Sequence, residues 1–361
     1  MNARLNRPGF LPIGIDVGSH WLKLAQLRRS PGGELALMAK ASVELGSADH
    51  ADPATRSRLV AEATRQALRN APFKGRSYVL SLPASLTFVQ HLKMGRLGAD
   101  QMDKALQWEL AGKLPYDPAL AEVRHIVAGE THANNEVKQE VIAVAARRDV
   151  IVAHVDALSK LKLECQGVNV EPCAIVECFA RLFRRAEDAE RATLFIDIGA
   201  SSTQAVVSHG PRMAFAKNIG LGGDQFDQAI GSALNLPIDE AHRQRLLRGG
   251  EGFDAAAAES IGRAITGPLS TLAQELTNCL RYYDSVFVNR PVERTVFLGG
   301  QAYDTALCQA LAQRLSLPAQ IGNPLKQIQI DSGLAVDGSC PEWAVCVGLC
   351  LGAAAGKGRA A

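Results

Sequence analysis

The alternation of apolar and polar residues changes period repeatedly along this chain, and each change marks an element. Residues 13–17 and 21–27 are two short apolar runs around a Gly-containing turn, which predicts a β-hairpin. Residues 57–70 carry a helical period, and 78–82 read as a strand that Pro83 ends. Met102, Leu106, Leu110 and Leu114 recur every four residues, predicting a helix that Asp100 caps and Pro115 stops. A strand at 141–145 and a helix at about 149–161 follow, so the block from Tyr78 to Arg147 reads as a small α/β unit inserted into the first half. A strand at 167–170 then leads into a helix opening at Glu171-Pro172. In the second half the pattern predicts strands at 194–197 and 203–207, a Gly-rich turn at 220–224 and a helix at 225–234. A polar, Ala-rich stretch at 239–260 fits neither period. A long helix at 264–286, a strand at 295–298 and another helix beginning at Gly299-Gly300-Gln301 complete the series.

Two of these hairpins are copies of one another. Ile13-Gly14-Ile15-Asp16-Val17-Gly18-Ser19 recurs as Leu194-Phe195-Ile196-Asp197-Ile198-Gly199-Ala200-Ser201-Ser202, with the two aspartates 181 residues apart. Half a chain is the spacing of a duplicated, two-lobed α/β fold, and 361 residues are too many for one compact core.

Composition narrows the function classes. Lys plus Arg is 39 and Asp plus Glu is 37, so no global field favours nucleic acid or membrane as partner. The eight cysteines form no C-x-x-C pair, and most, including Cys173, Cys178, Cys346 and Cys350, lie in apolar stretches. They read as reduced, buried thiols in a cytoplasmic protein rather than zinc ligands. Arg4 and Arg7 precede a stretch interrupted by Pro12, Gly14 and Asp16, which is not the pattern of a secretory signal. The longest near-apolar run, 343–356, falls short of the roughly 20 residues that span a bilayer. The expectation is a soluble protein that meets a membrane only through a partner.

The candidate chemistry is phosphate binding. A phosphate chain needs several converging backbone N–H donors, and a Gly- and Ser-rich hairpin turn supplies them. Asp16 and Asp197, just before each turn, are placed to accept hydrogen bonds from the waters of Mg²⁺, which keeps much of its hydration shell. Gly299-Gly300 lets a base or ribose pack on backbone, Gly222-Gly223 offers a second close approach, and Glu171 places a carboxylate at a helix start. A C-cap, a turn or an ordinary helix start accounts for each of these three equally well. His20 beside the first turn reads as facing solvent, and Arg181, Arg184 and Arg185 as a solvated helix face.

Taken in order, these segments resemble the actin, Hsp70 and FtsA superfamily: phosphate-1 loop 15–19, connector 171–174, phosphate-2 loop 196–201 and adenosine motif 298–301. The resemblance implies an actin-like ATPase fold of two ribonuclease-H-like lobes that binds ATP with Mg²⁺ in the interlobe cleft. It implies nucleotide contacts from Asp16, Gly18, Ser19 and Lys23, from Asp197, Gly199, Ser201 and Ser202, and from Gly222, Gly223, Glu275, Gly299 and Gly300. Glu171 would be the catalytic carboxylate, and Asn278 stands where relatives often have a cation one turn after the helix glutamate.

Within the superfamily the chain is most similar to the PilM family of type IV pilus assembly. The likeness lies in Trp108-Glu109-Leu110 with Lys113-Leu114-Pro115-Tyr116-Asp117, in 141–148, in 274–283, in Asn323-Pro324 and in 343–349. It implies subdomain 1A at 10–77, 149–193 and 325–356, an FtsA/PilM-type 1C insertion at 78–148, subdomain 2A at 194–225 and 285–324, and 2B at 226–284. It also implies a cytoplasmic, ATP-binding scaffold, with hydrolysis slow or absent. Such a scaffold holds the N-terminal tail of a PilN-like inner-membrane protein in a groove between 1A and 1C. An FtsA-like filament would need a C-terminal amphipathic helix, yet 352–361 carry no large apolar residue. A sugar kinase would need a base near an acceptor hydroxyl, for which no Asp or His stands out. A platform of a type II secretion or competence machine remains an alternative.

Overall fold

The computed structural model describes residues 9–46, 52–133, 136–183 and 185–355, which fall into two compact units. The expectations for residues 1–8, for Arg184 and for 356–361 lie outside the described residues. The first unit holds the chain up to Leu182 and again from Asn323, and the second holds Phe183–Gly322.

The first unit opens with β1 (Gly9–Phe10), β2 (Ile13–Val17), β3 (Trp21–Arg29), β4 (Leu35–Glu44), α1 (Pro53–Asn70) and β5 (Ser77–Leu82). β2, β3 and β4 run antiparallel as a meander, and β5 returns parallel to β2, with α1 as the crossover. Alternation does the sorting: Ile13, Ile15 and Val17 face the core shared with Val60 and Leu158, while Gly14 and Asp16 take the opposite face.

The strand at Tyr78–Leu82 thus belongs to this main sheet, and the separate layer begins after it. That layer is β6 (Thr87–Met94), α2 (Ala99–Leu110), β7 (Ala121–Ala133) and β8 (Glu136–Arg147), a three-stranded antiparallel sheet in the order β6-β8-β7. Met102, Leu106 and Leu110 of α2 pack on Val141, Ala143 and Ala145 of β8. The helix is capped by the backbone of Gly98, not by Asp100, and it ends at Leu110 before Pro115 is reached. Gly112, at φ +77, turns the chain there, and Leu114 is still buried from the turn. After α3 (Arg148–Ser159), β9 (Glu164–Val170) joins β5 in parallel and α4 (Glu171–Ala180) follows. Arg181 is no solvated surface residue, because its guanidinium donates to the carbonyls of Pro324 and Lys326.

The second unit repeats this plan. β10 (Ala192–Ile198), β11 (Thr203–His209) and β12 (Arg212–Ile219) form the meander, followed by α5 (Gly223–Leu234), α6 (Ile238–Leu247), α7 (Ala255–Ala264) and α8 (Thr266–Val286). β13 (Val292–Leu298), α9 (Thr305–Leu315) and β14 (Ala319–Ile321) complete a sheet in the order β12-β11-β10-β13-β14. The stretch 239–260 lies largely in the helices α6 and α7. The first is amphipathic only weakly because its buried partners include an arginine, Arg245. The long helix starts at Thr266, where a break at Ile265 separates it from α7.

The chain then returns to the first unit as β15 (Gln329–Ile330), which pairs β4, and α10 (Ala344–Ala355). The core strands there run β4-β3-β2-β5-β9, the same order and the same mix of antiparallel and parallel neighbours as in the second unit. The near-apolar run at 343–356 is explained by α10, which lies on β2 and α4. A Cβ at Gly348 would overlap the Ala174 carbonyl, so glycine permits that helix contact. Among the described residues no helix is long and apolar enough to cross a membrane, and all eight cysteines are free thiols.

Candidate functional site

Both Asp-x-Gly turns close in the same way. The Gly18 amide donates to the Trp21 carbonyl at 3.0 Å, and the Gly199 amide donates to the Ser202 carbonyl at 2.9 Å. Each loop is held from behind by the helix after its meander, by different means. In the first unit the Arg56 guanidinium of α1 donates to the Gly18 carbonyl at 3.1 Å. In the second, the amides of Gly223 and Asp224 at the start of α5 donate to the carbonyls of Gly199 and Ala200, at 3.0 and 2.9 Å.

Asp16 is buried on β2, opposite Lys23 on β3, whose Nζ lies 3.9 Å from Oδ2. Burial pushes the Asp16 carboxyl above its ordinary value and Lys23 pulls it back. Register carries a polar row onward from Asp16 to Ser81 on β5 and Asn169 on β9. A carboxylate so desolvated gains from the waters of a hydrated cation, so Asp16 fits a Mg²⁺ held through water. Among the described residues no three His, Cys, Asp or Glu side chains gather as direct ligands, which water-mediated binding does not require. Ser19 and His20 are half-buried in the turn, and the His20 carbonyl accepts from the Leu45 amide. Glu171 occupies the first position of α4, half-buried, at the end of β9.

In the second unit Gly299 and Gly222 lie against the second loop. Gly299 has φ +83, and a Cβ there would strike Asp197 Oδ1 and the Ile198 carbonyl. A Cβ at Gly222 would overlap Ala200, so the turn before α5 lies against the second loop, beside Ser201 and Ser202. Gly300 opens the short turn Gly300–Tyr303 that precedes α9, so the helix expected at Gly299 begins only at Thr305. Glu275 comes from a different element. It lies on α8, whose Leu272 and Leu276 cover the sheet face of Ile196 and Ala205, opposite to that of Asp197. Its cation is Lys217 of β12, 3.0 Å away, which answers for the Asn278 one turn along the helix.

A brace that sequence reasoning missed lies beneath the Gly299 turn. Arg245 of α6, fully buried, donates to Asp227 of α5 at 2.7 Å, to Asp304 at 3.2 Å and to Gln301 at 2.6 Å. Arg248 adds a bond to Asp304 at 3.1 Å. In the sequence these residues look like the charged face of a surface helix.

A concave feature lies wholly in the first unit. A cavity of about 490 Å³ opens between the face of β7 and β8 that α2 does not cover and the helix α3 with the ends of β5 and β9. Ile126, Val144, Ile151, Val152 and Val170 give apolar walls, and Arg124, Arg148 and Glu122 ring them. β7 is an edge strand of its sheet. The polar row from Asp16 ends in this cavity, because Asn169 lines it.

The family model of the type IV pilus assembly protein PilM matches residues 14–353. The chain belongs to that family. A solved PilM-PilN type IV pilus biogenesis complex is similar over 95% of this chain and 98% of that one, at 24% identity and TM-score 0.78. The ethanolamine utilization protein EutJ from Carboxydothermus hydrogenoformans is similar over 96% and 90%, at 14% identity and TM-score 0.55. Component A of the Acidaminococcus fermentans (R)-2-hydroxyglutaryl-CoA dehydratase is similar over 97% and 99%, at 13% and TM-score 0.50. No curated protein sequence matches the chain. The likenesses establish the fold, which is that of the actin-like ATPases, and the extra β6-β8-β7 layer is the part that the duplicated core does not explain.

Proposed function

We propose that this PilM-family chain is an ATP-binding scaffold of type IV pilus assembly whose first-unit groove receives the N-terminal cytoplasmic tail of a PilN-like inner-membrane protein. The observation that carries this is the groove itself: apolar walls, a charged rim and an unpaired edge at β7 suit an extended peptide that adds as a strand. That one of the similar structures is a PilM-PilN complex supports the reading. The chain would thereby sit at the cytoplasmic side of the inner membrane through its partner.

The Asp-x-Gly loops would take the phosphates of ATP, with Gly18, Ser19 and Lys23 at one loop and Gly199, Ser201 and Ser202 at the other. Bound ATP would supply the charge that orders the loops, and Asp16 and Asp197 would hold Mg²⁺ through water. Gly222, Gly223, Gly299 and Gly300 would admit the nucleoside, and Glu275, already paired with Lys217, would serve the ribose only if that pair opens. Glu171 would orient water for whatever hydrolysis occurs. Titration with a fluorescent ATP analogue tests this half of the reading. Asp16→Asn and Asp197→Asn should each weaken Mg-dependent binding tenfold or more, and variants that bind as well as the unmodified chain would refute it.

A further inference from the structure

We infer that Arg56 is the positioning residue through which the peptide groove and the first Asp-x-Gly loop sense one another. The inference rests on the functional reading above for what occupies the two sites.

The argument begins with an asymmetry between the repeats. The second loop is fastened by two backbone amides of α5, which move only if the helix moves. The first loop is fastened to its helix by a side chain, the Arg56 guanidinium on the Gly18 carbonyl. A side-chain clamp can be withdrawn by a rotamer change, so the first loop is the adjustable one.

The second step is what Arg56 lies against. It is buried on α1, and α1 packs on α3. His154 of α3 is buried too, donates from Nδ1 to the Val150 carbonyl, and has no partner at Nε2 among the described residues. The Arg56 charge, after burial, helps to hold the His154 imidazole below its ordinary value, so the two groups are neighbours. Neutral His154 therefore keeps an unused, buried acceptor nitrogen on the helix that packs against the one carrying Arg56.

The third step is the other side of α3. Arg148, Ile151 and Val152, all ahead of His154 on α3, line the groove. A peptide wedged against Val152 bears on α3, and a small displacement of α3 changes whether Arg56 is held by His154 or by Gly18. The distance is short, because Asn169 in the groove is two strand spacings, about 10 Å, from Asp16. Two arrangements of one buried guanidinium make a two-state element that both sites bias, and the coupling is necessarily reciprocal.

The test is a linkage cycle by titration calorimetry on the full chain. The affinity for an ATP analogue with Mg²⁺ is measured with and without a saturating synthetic peptide of the PilN-type N-terminal tail. The unmodified chain should show about a fivefold or larger change in nucleotide affinity on peptide binding. Arg56→Met should bring that ratio close to one while the peptide still binds, Arg56→Lys should restore part of it, and His154→Gln should reduce it without touching the Gly18 contact. Binding of both ligands with no linkage in the unmodified chain would overturn the inference and leave the functional reading intact, as would an unchanged ratio in Arg56→Met and His154→Gln. Failure of the unmodified chain to bind peptide or nucleotide would overturn both.

Discussion

Gly299 is the residue at which backbone and site depend on each other most directly. It combines a left-handed φ with contact against Asp197, so Gly299→Ala must both strain the turn and push that carboxylate aside. The variant should lose about 2–4 kcal/mol in urea unfolding and bind an ATP analogue at least tenfold more weakly. Unaltered binding would show that the Asp197 side chain is not engaged there. His209 makes a different prediction. Its Nε2–H donates to the Tyr283 hydroxyl, which donates in turn to the Arg290 carbonyl, and burial with Arg290 and Arg212 nearby lowers its value to about 4. The unfolded chain then binds more protons between about pH 6.5 and 4, so stability is full above that window and falls as pH drops through it. The loss should reach about 1–3 kcal/mol, and His209→Gln, which keeps a donor to Tyr283, should flatten it; equal slopes in the two proteins would exclude His209 as the source. At this scale the loops were legible in the sequence because an Asp-x-Gly turn is local. Arg245 was not, since nothing in a run of alternating charges says which one is buried.

At the scale of elements, burial rather than propensity decided what could be read. The helices 57–70 and 264–286 and the strands beside the loops follow strong local periods. β6 and β7 do not, because the face of their sheet that α2 leaves uncovered carries His91 and Arg124 among its apolar positions, and Gln90 and His125 interrupt the covered face. The groove was therefore expected by resemblance alone, since its walls come from strands and a helix far apart in sequence. The brace of α6 also belongs here, since it fixes α6 to α5 and to the turn after β13 through one guanidinium. Arg245→Met leaves Asp227 and Asp304 buried with fewer partners and should cost about 3–5 kcal/mol, more than Arg243→Met on the exposed side of the same helix. Comparable unfolding midpoints for the two variants would mean that the network does not brace the second unit.

For the whole molecule, one sheet order occurs twice, and the first unit departs from it by an added layer. Both units carry the loop, the meander and the parallel returns, which the repeat 181 residues apart announced. Only the first adds a three-stranded layer after its fourth core strand among the described residues, and a groove of about 490 Å³ lies against that layer. In the proposed function the extra layer is what would make the fold a platform for a peptide, and α3, which follows it directly, joins the layer to the core. The most direct test of this account is the affinity of the full chain for a synthetic peptide of the PilN-type tail, measured by calorimetry beside Val152→Asp, which puts a charge on the apolar wall. The account predicts that the unmodified chain binds and that Val152→Asp loses at least tenfold while its unfolding midpoint and its ATP-analogue affinity in the absence of peptide stay the same. Equal peptide binding by the two proteins, or none by either, would contradict it.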